Sequence, residues 1–252
     1  MELRIKDRVA LVTGGARDVG RAISTALARE GAVVAVNYLH SKSEAQETIA
    51  EITAAGGKAQ AFKADVSDYP SVRALQRQIA DKLGPVDILV NNAGFVAPEL
   101  FLRTAPEQWH PQIAVGLHAV MSCCHVFAPA MAERRFGRVI NIVGDSARVG
   151  ERRLAVTAAS RGGVLALTKS LAKELGPAEV TVNAVALGLI ETSHSDAEFL
   201  KANRDRILQF YAIKRLGRPD DVASLAAFLA SAHASWITGQ TISVSGGYST
   251  AG

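Results

Sequence analysis

Short apolar runs rich in β-branched residues alternate along the chain with longer segments whose apolar positions recur about every 3.6 residues. The runs are VALVTGG at 9–15, AVVAVNY at 32–38, KAQAFKADV at 58–66, VDILVNNAG at 86–94, GRVINIVG at 137–144, VTVNAVALG at 180–188 and QTISVSGG at 240–247. Seven such strands with helices between them predict an α/β fold, a doubly wound Rossmann-type domain whose seven-stranded parallel sheet is covered by helices on both faces. Ser41-Lys-Ser-Glu44 has the spacing of a capping box, and Pro219-Asp-Asp221 places proline and two acids in a first turn, where free N–H groups and the helix dipole favour them. The stretch 189–215 is polar and broken, and reads as a lid-like insertion between the last strands. No internal repeat or low-complexity segment interrupts the pattern.

With 252 residues, 48% of them hydrophobic, the chain suits one large domain over 1–252 better than two. No unbroken apolar run reaches membrane-spanning length, and Met1-Glu-Leu-Arg-Ile-Lys-Asp7 lacks the apolar core of a signal peptide, so a cytoplasmic protein is expected. The two cysteines, Cys123 and Cys124, are neighbours in one predicted helix, where their side chains diverge, and read as packing residues. The net charge of +4 is spread among interspersed acids and bases, which argues against a nucleic-acid partner. Arg134-Arg135 and Glu151-Arg152-Arg153 read as solvated faces, and no Cys/His/Asp spacing suggests a metal.

The first strand, turn and helix are joined by Thr13-Gly-Gly-Ala-Arg-Asp-Val-Gly20. With Asp65-Val66 after the third strand, Asn91-Asn-Ala-Gly94 after the fourth and the closing Ile237-Thr-Gly-Gln through Ser245-Gly-Gly247, this turn resembles the short-chain dehydrogenase/reductase family, whose turn reads TGxxxGxG. The resemblance runs over essentially the full length and implies a nicotinamide nucleotide held by Gly14, Gly20, Asp65, Val66, Asn92, Gly94 and Thr192. Glycines in such a turn let backbone approach a pyrophosphate at a helix N-terminus. The pattern's middle glycine is Asp18 here, a side chain of the wrong charge: two like charges about 4 Å apart at an effective dielectric of about 20 repel by roughly 4 kcal/mol before solvent relaxation. The second strand ends in Val36-Asn-Tyr-Leu-His40, with Tyr38 and no acid for an adenosine ribose, while His40 and Lys42 give thin support for a 2′-phosphate. Leu187-Gly188 stands where the family has Pro-Gly. The cofactor site is therefore expected to be degenerate.

The same resemblance implies a catalytic tetrad in which a tyrosine moves a proton, a lysine four residues later lowers its pKa, a serine polarises the substrate oxygen and an asparagine anchors a water relay. Thr157 occupies the tyrosine position, Arg161 the lysine, Gly144 the serine and Gly116 the asparagine. Threonine is too weak an acid and too short, and arginine cannot give up a proton. A displaced acid/base drawn from His118, Asp145 and Ser146 is the alternative, though each also reads as an ordinary helix or turn residue. The expectation is a catalytically inactive subunit that binds no nucleotide and assembles with an active short-chain dehydrogenase carrying NAD. The family's interfaces would fall on the paired helices at about 106–134 and 155–176 and on the last helix and strand at 219–247. The run from Val139 through Gly150, Gly162-Gly163 and Ser243–Gly247 looks like the branch that oxidises hydroxyacyl-CoA esters. A third reading is an acyl-CoA or nucleotide-binding module, with Arg152 and Arg153 meeting CoA phosphates.

Overall fold

The computed structural model describes residues 2–193 and 195–250; Met1, His194 in the expected lid and the terminal Ala251 and Gly252 lie outside the described residues. The strands are β1 (Val9–Val12), β2 (Val33–Tyr38), β3 (Lys58–Lys63), β4 (Ile88–Asn91), β5 (Gly137–Gly144), β6 (Val180–Leu187) and β7 (Thr241–Val244). All pair in parallel in the order β3-β2-β1-β4-β5-β6-β7. Each expected run contains its strand, and the residues trimmed from it, such as Thr13–Gly15 and Asn92–Gly94, form the turns at the strands' C-terminal ends. Sequence order reverses between β1 and β4, so a crevice opens there, where ligands settle in open parallel sheets.

The helices are α1 (Asp18–Arg29), α2 (Lys42–Ala54), α3 (Tyr69–Leu83), α4 (Trp109–Ile113), α5 (Ala119–Glu133), α6 (Ser146–Val149), α7 (Ala155–Leu175), α8 (Ala197–Leu208) and α9 (Pro219–Ala230). Strand side chains alternate between faces: Ala10 and Val12 join the layer under α1 and α9, while Val9 and Leu11 join the layer under α3, α5 and α7. A buried polar thread crosses the second layer. Asn91 Nδ2 donates to Asn141 Oδ1 at 2.8 Å, and Asn141 Nδ2 donates to Thr168 Oγ1 at 2.9 Å. That thread fixes the register of α7 against β4 and β5, and α7 carries Thr157 and Arg161.

Between α4 and α5 the chain makes one π-helical turn, Ala114–His118, around Gly116. Together these turns form a helix, Pro106–Glu133, that is long and apolar enough by length and composition to cross a membrane. A search for unbroken apolar runs misses it because Glu107, His110, Gln112 and His118 interrupt the run. Its inner face, with Val120, Phe127 and Met131, packs in the core. Cys123 and Cys124 are free and buried there as expected, and burial pushes both thiols up, Cys124 to about 12, which keeps them unreactive.

Two local expectations meet different fates. The capping box at Ser41 does not form: Ser41 lies at φ −80°, ψ 60°, outside the extended region from which a side chain can reach back, and makes no cap hydrogen bond. At α9, by contrast, the Asp221 carboxylate accepts the Arg218 N–H at 2.8 Å and both guanidinium nitrogens of Arg215 at 2.6 and 2.8 Å. These donors, Arg215 first, hold Asp221 down to about 2. A depressed carboxyl stabilises the fold above its unfolded pKa of about 4 and loses that contribution as pH falls toward about 2. Melting temperature followed from neutrality to acid should therefore fall less steeply below about pH 4 in Asp221→Asn than in the wild type; parallel curves would contradict the assignment.

The insertion at 189–215 is more ordered than its sequence suggests. It contains α8, whose N-terminus is capped by Asp196 accepting from Phe199 N–H at 2.9 Å. A parallel bridge between Ile190 and Gly217 closes its base. Leu189 N–H donates to Tyr211 Oη at 3.0 Å, and Tyr211 stacks on Tyr248 with ring centroids 5.2 Å apart.

Candidate functional site

The glycine turn is clasped by the end of β4. Asn92 Nδ2 donates to the carbonyls of Thr13 and Gly14 at 3.0 and 3.1 Å, and Thr13 Oγ1 accepts the N–H groups of Asn92 and Ala93 at 2.9 and 3.0 Å. Gly14 adopts φ +59°, and its N–H donates to Asn37 Oδ1 at 3.3 Å. Gly20 sits so close that a Cβ there would strike the Gly14 carbonyl oxygen and stand 2.7 Å from Asn92 Nδ2. The backbone thus keeps the form that brings main chain to a phosphate.

Asp18 changes what that backbone meets. It holds the left-handed conformation of the missing glycine, φ +49°, which aspartate tolerates better than most residues. Its carboxylate stands in the first turn of α1, and Oδ1 accepts the Ser193 backbone N–H at 2.8 Å. An anion is already present at the helix N-terminus, supplied by the chain itself and tied to the lid. The turn's backbone fits a pyrophosphate; this side chain does not. Among the remaining expected cofactor residues, Tyr38 is half-buried at the end of β2, Val66 is buried, and Thr192 N–H donates to Ser195 Oγ at 2.9 Å. Asp65 Oδ1 accepts from the Ser67 N–H and hydroxyl at 2.9 and 2.6 Å.

At the chemical end the four positions are packed against neighbouring side chains. Thr157 Oγ1 donates to Gln112 Oε1 at 2.7 Å, and Ser160 Oγ donates to the Gln112 carbonyl at 3.3 Å. Gln112 is 2% exposed and holds the Thr157 hydroxyl. Gly116 makes space for Ser160, whose Oγ would lie 2.5 Å from a Cβ at that position. Gly144 makes space for Arg161, whose Nη1 would lie 2.6 Å from a Gly144 Cβ. What remains between Gly94, Gly116, Thr157 and Arg161 is a cavity of about 10 Å³, room for about one water. Burial lowers the Arg161 pKa, and the guanidinium remains charged.

The proposed substitutes do not converge. His118 is exposed on its helix, while Asp145 and Ser146 are buried. Asp145 Oδ1 accepts from Ser243 Oγ at 2.7 Å; Arg148 Nη1 donates to that same hydroxyl at 2.6 Å and lies 3.9 Å from the carboxylate. These contacts tie β5 to β7. Arg152 and Arg153 are exposed, and Arg153 Nη2 donates to the Pro98 carbonyl at 3.0 Å, docking its loop on the one that covers the cavity. Sequence reasoning passed over Gln112, whose only signal is its place one helical turn before Gly116, and it passed over the Asp145–Ser243 pair, 98 residues apart.

Residues 14–249 match the family described as enoyl-(acyl carrier protein) reductase. The chain is 40% identical over 238 residues to the 3-oxoacyl-[acyl-carrier-protein] reductase FabG of Staphylococcus aureus, covering 94% of this chain and 96% of that one. It is 41% identical over 241 residues to the 3-oxoacyl-[acyl-carrier-protein] reductase of Synechocystis sp., covering 95% and 96%. A solved structure from Sinorhizobium meliloti, assigned as a short-chain alcohol dehydrogenase, superposes with a TM-score of 0.93 at 32% identity over 98% of both chains. The chain belongs to the short-chain dehydrogenase/reductase family, oxidoreductases that normally bind NAD(P).

Proposed function

We propose that this chain is a catalytically inactive member of its family, which binds no nucleotide and serves as the structural subunit of a hetero-oligomer whose active partner is a short-chain dehydrogenase carrying NAD. The observation that carries this reading is the packing at the tetrad positions. Thr157 is bonded to Gln112, and Arg161 stands where a side chain on Gly144 would be. A serine restored at Gly144 would meet the Arg161 guanidinium. Asp18 supports the same reading at the phosphate end.

Surfaces for a partner survive where the site does not. α5 and α7 leave an apolar groove lined by Met121, Cys124, Ala128, Leu167, Leu171 and Leu175. β7, at the sheet edge, is only partly buried along its length, the state in which a strand seeks covering. The substrate class follows from resemblance: the relatives named above act on 3-oxoacyl thioesters by name, and the sequence looks like the branch that oxidises hydroxyacyl-CoA esters. Within that branch the chain is similar in kind to the inactive subunit of the heterotetrameric 2-(α-hydroxybenzyl)succinyl-CoA dehydrogenase of anaerobic toluene degradation.

Titration of the purified chain with NADH and NADPH, followed by nicotinamide fluorescence, should give no saturable binding. Co-expression with candidate short-chain dehydrogenases should yield a mixed oligomer. Turnover of a hydroxyacyl-CoA by the chain alone, or elution only as a homo-oligomer beside every candidate, would overturn the proposal.

A further inference from the structure

Loss of the tetrad leaves one chemically conspicuous group in the crevice. The Arg161 guanidinium reaches from α7 to the ends of β4 and β5, lying between Gly144 and Gly94: a methyl on Gly144 would stand 2.6 Å from Nη1, and one on Gly94 would stand 3.4 Å from Nη2. Arg161 forms no ion pair and no hydrogen bond with any described residue. Burial accounts for the lowering of its pKa. A partly buried charge without a partner is costly.

The surroundings suit one kind of ligand. The hydroxyls of Thr157 and Ser160 are already donated to Gln112, and Arg161 is the charged donor on this wall. Ala93, Phe95, Val120 and Ile142 supply the apolar part of the lining. Phe95 and Val96, next along the covering loop, are 46% and 40% exposed, enough to receive an apolar tail. The cavity of about 10 Å³ holds about one water, so the head group rests at its mouth, against the Arg161 guanidinium. A guanidinium presents parallel donors that match a carboxylate bidentately.

We propose that the emptied catalytic site is a carboxylate-binding site, in which Arg161 holds the head group of a small organic acid and Phe95 and Val96 hold its apolar tail. Gly144 then has a purpose beyond the loss of catalysis: it clears one end of the guanidinium. This inference goes beyond the inactive-subunit reading and can fail independently of it.

The test is calorimetric titration of the full chain with benzoate, acetate and inorganic phosphate. Benzoate should bind saturably and more tightly than acetate, with phosphate weakest. Arg161→Gln should weaken benzoate at least about tenfold. Gly144→Ala is the second variant: its methyl meets the flexible end of a side chain, so the fold should persist while the displaced guanidinium loses benzoate. Absence of saturable benzoate binding, equal binding by Arg161→Gln, or phosphate binding as tightly as benzoate would each overturn the proposal. Nicotinamide binding in the separate titration would defeat the inactive-subunit reading while leaving this one standing.

Discussion

Replacing Gly20 with alanine should cost about 3 kcal/mol or more of folding stability, seen as a fall of roughly 6–12 °C in melting temperature for a domain of this size. The reason is steric and local. A Cβ on Gly20 runs into the backbone carbonyl oxygen of Gly14 and stands 2.7 Å from Asn92 Nδ2, the atom that clasps the turn. Neither obstacle is the free end of a flexible side chain, so the turn, α1 or the end of β4 must shift. Gly162→Ala is the matched control. Its Cβ meets nothing within 4 Å on α7, and alanine's better helix propensity should leave stability equal or raise it by up to about 1 kcal/mol. Similar melting curves for the two variants would show that the close approach at Gly20 does not set the stability of the turn. The prediction also bears on the fold: this tight turn joins β1, α1 and β4.

The architecture was legible because a parallel sheet covered on both faces leaves continuous apolar runs, and each of the seven runs contains its strand. The emptied tetrad was legible for a different reason: Thr157, Arg161, Gly144 and Gly116 stand at motif positions countable along the chain. What filled the emptied space was not. Gln112 reaches Thr157 from a helix 45 residues earlier, and Ser243 reaches Asp145 across 98 residues. Such pairings belong to the fold and leave no local trace. Asp18 lies between these cases. Its charge was readable as repulsion toward a phosphate, but the bond it makes to Ser193, 175 residues away, turns an obstacle into a fastening for the lid. The helix at Pro106–Glu133 is long and apolar enough to suit a membrane, yet one of its faces packs on the sheet and against α7.

Asp18→Gly should raise affinity for a nicotinamide nucleotide by about 10²–10³-fold over the wild type, measured by NADH and NADPH fluorescence. Two effects act in the same direction. Removing the carboxylate abolishes a like-charge contact at the N-terminus of α1, and glycine retains the left-handed backbone that Asp18 holds at φ +49°. The same substitution removes the contact from the Asp18 carboxylate to the Ser193 N–H. The lid should loosen without nucleotide, so limited proteolysis within 189–215 should be faster in the variant and slowed again by added nucleotide. Turnover should stay absent, because a phosphate site restores neither the phenol at Thr157 nor the ammonium at Arg161, and Gln112 still holds the Thr157 hydroxyl. Faster proteolysis without nucleotide binding would place the block at the nicotinamide end, with Arg161 and Gln112, and would reduce Asp18 to a fastening of the lid. Unchanged proteolysis would mean the Ser193 contact does not hold the lid. Binding with no change in proteolysis would leave charge repulsion alone as the effect of Asp18 on nucleotide affinity.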